Sequence, residues 1–130
     1  MMDTRSLETA SAATLGLVGF MLLLPFSTFD ANPTAFATMS RWPEWAWGGL
    51  LMLVALAQAY AVARNHADGR RGAALAAATL YGFLATLYFL ANPVNLGTPT
   101  WIVHVAGNLY ALYGLGRPRP EAAGRHGRVA

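Results

Sequence analysis

Four long uncharged runs constrain the fold of this sequence more than any other feature. Residues 9–29, 45–63, 72–91 and 99–116 contain no Asp, Glu, Lys or Arg. Each run is close to the ~20 residues that an α-helix needs to cross a ~30 Å hydrocarbon core at ~1.5 Å per residue. The 130-residue chain is only 12% charged, which is too little to cover a soluble domain of this size. The sequence therefore predicts an all-α polytopic membrane protein whose four transmembrane helices form two hairpins.

The positions of the arginines predict the orientation of these spans. If every run crosses the membrane, the N-terminus, the 64–71 loop and the C-terminal tail share one side, which carries eight of the nine arginines. The positive-inside rule then places both termini in the cytoplasm, with the chain in a bacterial inner (plasma) membrane. Residues 1–116 form the predicted transmembrane domain, and residues 117–130, rich in Gly, Pro and Arg, form a flexible basic cytoplasmic tail. The arginines that set this topology are Arg64, Arg70, Arg71, Arg117 and Arg119.

All four tryptophans lie where the runs are expected to meet the outer membrane surface. Indole rings prefer the headgroup region because they combine an apolar body with one polar N–H group. We therefore predict four interface anchors on the side opposite the arginines: Trp42, Trp45, Trp47 and Trp101.

Prolines near the same surface predict where helices begin and end. Pro25 is expected to kink or end the first helix, because proline lacks a backbone donor. The Asn32-Pro33 pair is expected to open a short interfacial helix that reaches Ser40. Pro43 fits the first position of the second long helix, with the Glu44 carboxylate facing the positive end of that helix. On the arginine side, residues 65–72 are expected to form a tight polar turn.

Small residues recur every four positions along three of the runs, which is a pattern that lets helix backbones approach closely in lipid. Two interpretations are compatible with it. The rows can pack the four helices against one another, or they can mediate self-association into a homo-oligomer. The residues concerned are Ala55, Ala59 and Ala63 in the second run, Ala74, Ala78, Gly82 and Thr86 in the third, and Gly107 in the fourth.

Three side chains within the runs carry an amide or imidazole group: Gln58, His104 and Asn108. His104 and Asn108 are four residues apart and therefore share a helix face. Buried polar groups in a bilayer usually form hydrogen bonds with neighbouring helices. The alternative is a polar path for protons or water in which His104 carries the proton. Such a relay would want a carboxylate within a span, and no uncharged run contains one.

Catalytic and metal-binding patterns are missing from the sequence. It has no cysteine, no G-x-S-x-G or H-E-x-x-H motif and no glycine loop that would hold a phosphate. His104 is the only histidine within a run, which is too few for a metal site. The arginines flank the runs and do not alternate with aromatic residues on a soluble face, so nucleic acid is not an expected partner. We therefore predict no catalytic residues, no cofactor and no metal.

Three stretches carry a family resemblance: "LLPFSTF" at 23–29, "PEWAWG" at 43–48, and "NP" followed by a short turn in 82–101. With these motifs, residues 13 to 117 resemble small four-span membrane proteins encoded by tailed bacteriophages and prophages. The resemblance implies a phage origin and a location in the host membrane during infection. Roles consistent with such an origin are holin-like permeabilisation, modulation of the host membrane, and a membrane component of virion assembly.

These observations favour a membrane protein without catalytic activity that acts as a scaffold or modulator. Its expected partners are the lipid bilayer and either a second copy of the chain or another membrane protein. Two alternatives stay open at this point. One is a holin-like protein that permeabilises the inner membrane for lysis, and the other is a small transporter or proton path that uses His104.

Overall fold

The computed structural model describes residues 3–94 and 97–117, and within these ranges the chain forms helices and turns only. The α-helices are α1 (Thr4–Leu23), α2 (Thr28–Ala31), α3 (Glu44–Arg64), α4 (Ala67–Ala91) and α5 (Gly97–Gly116). A short 3-10 helix, Met39–Arg41, lies between α2 and α3. The all-α prediction is confirmed. Arg119 and the rest of the predicted tail from residue 118 onward lie outside the described residues.

Three of the helices, α1, α3 and α4, are long and apolar enough to cross a membrane. Helix α5 has 20 residues and no charged side chain, but it is not among these three candidates. His104 and Asn108 lower its mean hydropathy, and so does Pro99 in its first turn. The described residues therefore contain three candidate spans, and a fourth crossing by α5 stays a prediction.

The four long helices pack as a bundle in which α1 lies mainly against α3, and α4 mainly against α5. Smaller interfaces join α1 to α5 and α3 to α4, so each helix has two main neighbours. The guanidinium group of Arg70 contacts both Thr4 and Asn65, and Arg71 reaches the backbone of Leu115. The start of α1, the α3–α4 turn and the end of α5 therefore meet at one end of the bundle, which we call the arginine end. The opposite end is called the aromatic end.

Helix α1 begins earlier and ends earlier than the first uncharged run. It begins at Thr4 because the Asp3 side chain caps it, accepting a hydrogen bond from the Arg5 backbone N–H at 3.1 Å. It ends at Leu23 because the residue before a proline avoids helical geometry, and Leu24 is extended before Pro25. The expected effect of Pro25 is confirmed. The predicted limits of 9–29 were wrong for this helix, which includes the charged residues Arg5 and Glu8.

The segment between α1 and α3 does not contain the helix predicted from Asn32-Pro33 to Ser40. It forms α2, then hydrogen-bonded turns, then the 3-10 helix. The turns are closed by the Phe36 N–H donating to the Asn32 carbonyl at 3.2 Å and the Ser40 N–H donating to the Phe36 carbonyl at 2.9 Å. This path carries Phe36 and the buried Met39 inward against the hydrophobic core.

Glu44 lies in the first turn of α3, as predicted, and its carboxylate also binds the start of α2. Its two carboxylate oxygens accept hydrogen bonds from the Thr28 and Phe29 N–H groups, at 3.1 and 2.6 Å. These are the free donors at the start of α2, which lies at the aromatic end. The carboxylate therefore ties the connecting segment to the first turn of α3.

The backbones of α1 and α3 approach most closely at Gly19 and Gly48. A Cβ atom built on Gly19 would lie 3.0 Å from the Gly48 carbonyl oxygen, and one built on Gly48 would lie 2.9 Å from the Gly19 carbonyl oxygen. Neither position has room for a side chain, whereas Gly49 faces open space. Close backbone approach of this kind lets the two helices pack tightly without a hydrophobic driving force from water.

Candidate functional site

Three polar side chains from three helices form a closed ring of hydrogen bonds in the centre of the bundle. The Ser11 hydroxyl donates to Gln58 Oε1 at 2.9 Å, and Gln58 Nε2 donates to Asn108 Oδ1 at 2.8 Å. Asn108 Nδ2 completes the ring by donating to Ser11 Oγ at 2.9 Å. Ser11, Gln58 and Asn108 are all buried. We call these three residues the polar ring.

Further hydrogen bonds tie the polar ring to α4, the remaining long helix, and to the backbone of α5. The Tyr81 hydroxyl on α4 donates to the Ser11 carbonyl oxygen at 2.8 Å. Asn108 Nδ2 also donates to the His104 carbonyl oxygen at 2.8 Å. Buried polar groups are costly unless they are paired, and here each member of the ring has partners inside the bundle. The ring therefore connects α1, α3, α4 and α5 in one arrangement.

His104 lies beside the polar ring and contributes only its backbone to it. Its imidazole ring stacks on Tyr81, with centroids 4.7 Å apart and planes inclined by 11°. Of the three polar residues singled out in the sequence, the structure thus brings Gln58 and Asn108 into direct contact and leaves the His104 side chain outside.

A buried ion pair lies between the polar ring and the arginine end. Glu8 on α1 is 1% exposed and Arg70 on α4 is 5% exposed, so neither charge faces solvent or lipid. Arg70 Nε donates to both Glu8 carboxylate oxygens, at 3.2 and 3.1 Å, and Nη2 donates to Glu8 as well. Arg70 also donates to Asn65 Oδ1 at 3.1 Å and to Thr4 Oγ1 at 3.2 Å.

The charge pattern of the sequence did not indicate this ion pair and predicted a different environment for Arg70. Arg70 was predicted to lie in a cytoplasmic loop, whereas it sits in the first turn of α4, which begins at Ala67. Glu8 was placed outside the first span because the uncharged run starts after it. The spacing of residues does indicate that Glu8 faces the interior of the bundle. Glu8 lies three residues before the buried Ser11, so the two share a face of α1. Arg70 lies eleven residues before Tyr81, which is about three turns of ~3.6 residues along α4.

Arg64, Arg71 and Arg117 also lie at the arginine end. Arg71 Nη2 donates to the Leu115 carbonyl oxygen at 2.5 Å, which satisfies a free acceptor in the last turn of α5. Exposed Arg64, in the last turn of α3, and exposed Arg117, directly after α5, each lie over an aromatic ring four residues earlier in the chain. The distances from the guanidinium carbon to the ring centroid are 5.4 Å for Tyr60 and 4.6 Å for Tyr113.

The predicted tryptophan anchors divide into two groups. Trp42 and Trp45 are 63% and 70% exposed at the aromatic end, which is the environment expected of anchors. Trp47 and Trp101 are buried and belong to the hydrophobic core, so the anchor prediction was wrong for them. Trp47 is drawn inward by a hydrogen bond from its indole N–H to the Met39 carbonyl oxygen, at 2.9 Å.

The rows of small residues also divide between the inside and the outside of the bundle. Ala55, Ala74 and Ala78 are buried, and Gly82 and Gly107 are half-buried. Three members of the predicted rows are instead exposed on the outer surface: Ala59, Ala63 and Thr86. Internal packing therefore accounts for only part of the pattern.

Within the described residues, no group of three or more His, Asp or Glu side chains could hold a metal ion. Comparison of the chain with protein-family models, with curated proteins and with solved structures finds no match. The resemblance to phage membrane proteins stays a prediction.

Proposed function

We propose that this chain is an integral membrane scaffold that crosses the bilayer four times and acts by self-association. The observation that carries the proposal is a groove on the outside of the bundle, lined mainly by small side chains of α1 and α3. The polar ring and the buried ion pair support it, because they hold the helices that form the groove in one fixed arrangement. A proton path is less well supported, since Glu8 is held by Arg70 and the polar ring is closed on itself.

The position of α5 between α4 and α1 supports four crossings. Its contacts extend from Trp101, which lies 5.9 Å from the Tyr88 ring at the aromatic end, to Leu115 beside Arg71 at the arginine end. A helix that lies along α4 over this length is long enough to cross the same layer as α4. With exposed Arg64 and Arg117 on one end, the positive-inside rule favours a cytoplasmic location for that end.

This topology predicts that reporter proteins fused to the two chain ends are both active in the cytoplasm. A periplasm-specific reporter inserted after Arg41, in the segment between α1 and α3, should be active on the other side. Fusions at the two ends that report opposite compartments would contradict four crossings.

The groove is lined mainly by seven small residues of α1 and α3, and the larger side chains of Met52, Leu56 and Val62 complete its wall. The small residues are Thr9, Ala12, Ala13, Gly16, Ala55, Ala59 and Ala63. Of these, Thr9, Ala13, Ala59 and Ala63 are exposed. In lipid, a surface of small residues allows the backbone of another helix to come close enough for extensive van der Waals contact. Most homo-oligomers are symmetric dimers in which the same surface of each copy forms the interface. The simplest partner for the groove is therefore the same face of α1 and α3 on a second copy.

The substitution Ala59→Leu is expected to lower the association constant of this dimer about tenfold, which corresponds to ~1–2 kcal/mol of helix association in lipid. The larger side chain fills the groove and keeps the two backbones apart. Dimer fractions are measured by single-molecule photobleaching in lipid bilayers over a range of protein-to-lipid ratios. The matched control is Ala106→Leu, the same change at an exposed position of α5 away from the groove. A monomeric wild type, or equal effects of the two substitutions, would reject the proposal.

A further inference from the structure

A shallow groove runs along the outside of the bundle between α3 and α4. The interface between these two helices is smaller than those of α1 with α3 and of α4 with α5, so the space between them is less completely filled. At the arginine end, a Cβ atom built on Gly69 would lie 3.8 Å from the Ala61 Cβ atom. At the aromatic end, the rings of Trp47 and Phe83 stack with centroids 6.1 Å apart. The two helices therefore lie side by side over most of their length.

Two open pockets follow one another along this groove. One is apolar, and its lining includes Leu50 and Val54 of α3 with Gly72, Ala76 and Phe83 of α4. The other lies beside the α3–α4 turn and is lined by Tyr60, Ala61, Arg64, His66 and Gly69. Spacings of four and seven residues place Leu50, Val54 and Ala61 on one face of α3, so both pockets belong to the same groove.

The pocket beside the turn carries a positive charge that is not neutralised within the described residues. Arg64 is exposed and belongs to neither ion pair of that part of the chain. His66 Nδ1 accepts a backbone N–H of the first turn of α4 at 3.2 Å, so the Nε2 atom carries the proton and can donate. The Asp68 carboxylate pairs with Arg71 at 3.5 Å and does not line the pocket. The pocket therefore suits an anion with several acceptor oxygens, such as a phosphate.

The distance from Arg64 to the apolar pocket matches the depth of one lipid leaflet. Helices α3 and α4 are both long and apolar enough to cross a membrane, and when both cross it, the turn that joins them lies among the headgroups. Val54 lies ten residues before Arg64, which is about 15 Å along a helix at ~1.5 Å per residue. This is half of a ~30 Å hydrocarbon core. An acyl chain that starts beside Arg64 therefore reaches the middle of the bilayer within the groove.

The lining of the groove suits an acyl chain better than a second helix. Leu50, Leu75 and Phe83 line it and are 40%, 54% and 52% exposed, whereas close approach of a second helix requires small side chains. Gly72 leaves space between these larger side chains, because a Cβ atom built there would meet no atom within 4 Å. A flexible acyl chain can occupy this space, but the larger side chains would hold a helix away from it.

We propose that the groove between α3 and α4 binds an anionic phospholipid, with its phosphate at Arg64 and His66 and one acyl chain along the apolar pocket. The lipid site requires that α3 and α4 cross a bilayer, as the proposed scaffold does. It requires neither a dimer nor a fourth crossing by α5. The groove of the proposed dimer lies on the α1 side of α3, so the two sites can be tested separately.

The role of the charge is tested by native mass spectrometry of the full chain in detergent, where each bound lipid adds its own mass. Phosphatidylglycerol and phosphatidylcholine with identical acyl chains are titrated separately. The wild type should bind the first phosphatidylglycerol about fivefold more tightly, which is the effect of one arginine near an anionic headgroup. Arg64→Met should bind both lipids with similar affinity. Arg117→Met removes another exposed arginine at the same end and should keep the preference.

The role of the apolar pocket is tested by filling the groove with a side chain. Gly72→Leu uses the open space in the groove, and should lower the affinity for the first lipid of either class about threefold through lost van der Waals contact. The matched control is Gly49→Leu, the same change in open space outside the lining of both pockets. It should bind lipid as the wild type does, and both variants should keep the wild-type helix content by circular dichroism.

Several outcomes would overturn the lipid site. They are a wild type without a preference for phosphatidylglycerol, an equal loss of preference in Arg64→Met and Arg117→Met, and equal lipid affinities of Gly72→Leu and Gly49→Leu. Loss of a dimer mass in Gly72→Leu with unchanged lipid binding would assign the groove to a second copy instead. Ala59→Leu, which is directed at the proposed dimer, should retain wild-type lipid binding, so the failure of one site is distinguishable from the failure of the other.

Discussion

Replacing Arg70 with methionine is expected to lower the free energy of unfolding by about 3–5 kcal/mol, because it leaves the Glu8 carboxylate buried without a counter-charge. Glu8 is only 1% exposed and has no route to water in the folded bundle. The substitution also removes the donors to Asn65 and Thr4 that connect the α3–α4 turn to α1. The change is measured by titrating the purified protein in mixed micelles with a denaturing detergent and following helix content by circular dichroism.

Arg64 provides the matched control for this prediction. It is an arginine in the last turn of α3 at the same end of the bundle, but it is exposed. Arg64→Met should change stability by no more than about 0.5 kcal/mol, as expected of a surface position. A double variant, Glu8→Met with Arg70→Met, should recover most of the stability lost in Arg70→Met, since buried ion pairs can often be replaced by apolar residues. Equal losses for Arg64→Met and Arg70→Met would show that the pair is not energetically coupled to folding.

The uncharged runs predicted the limits of α3 and α5 closely, and the starts of α1 and α4 less well. Helix α3 spans Glu44–Arg64 against a predicted 45–63, because charges lie directly at both of its ends. The limits of helix α1 differ from those of the uncharged run 9–29 because they depend on the Asp3 cap and on Pro25. The absence of charged residues indicates neither of these limits. The segment after Pro25 was misassigned for a related reason: its path depends on Glu44 and Trp47, which are distant in sequence.

The candidate site was harder to predict because helices in lipid are apolar on every face. In a soluble protein, a polar outer face tells which side of a helix is buried. Here exposed and buried positions are both apolar, so hydrophobic periodicity does not locate the interior. The polar residues do indicate the interior of the bundle. Gln58 and Asn108 are buried, as the free-energy cost of exposing an amide side chain to lipid predicts. Their partner Ser11 was not singled out, because a lone serine gives no sign of its partners on other helices.

Asn108→Leu is expected to destabilise the bundle by about 1–3 kcal/mol, because it removes the acceptor for Gln58 Nε2 inside a dry core. Gln58 is fully buried, so the freed donor has no water to bind. The loss is measured with the same detergent titration. Thr79→Val serves as the control, because the Thr79 hydroxyl is exposed and bonds only to the Leu75 carbonyl oxygen one turn away. That control should stay within about 0.5 kcal/mol of wild type.

Adding further substitutions to Asn108→Leu separates the role of the polar ring from that of its individual contacts. Including Ser11→Ala makes room beside position 108 but also removes the donor to Gln58 Oε1, so this double variant should be less stable than Asn108→Leu. Including Gln58→Leu as well removes the last unpaired amide, and the triple variant should regain stability to within about 1 kcal/mol of wild type. A gain in stability on deleting the third polar side chain is expected only if the cost comes from unpaired buried groups. If stability falls with each substitution, the ring is instead a set of independent contacts.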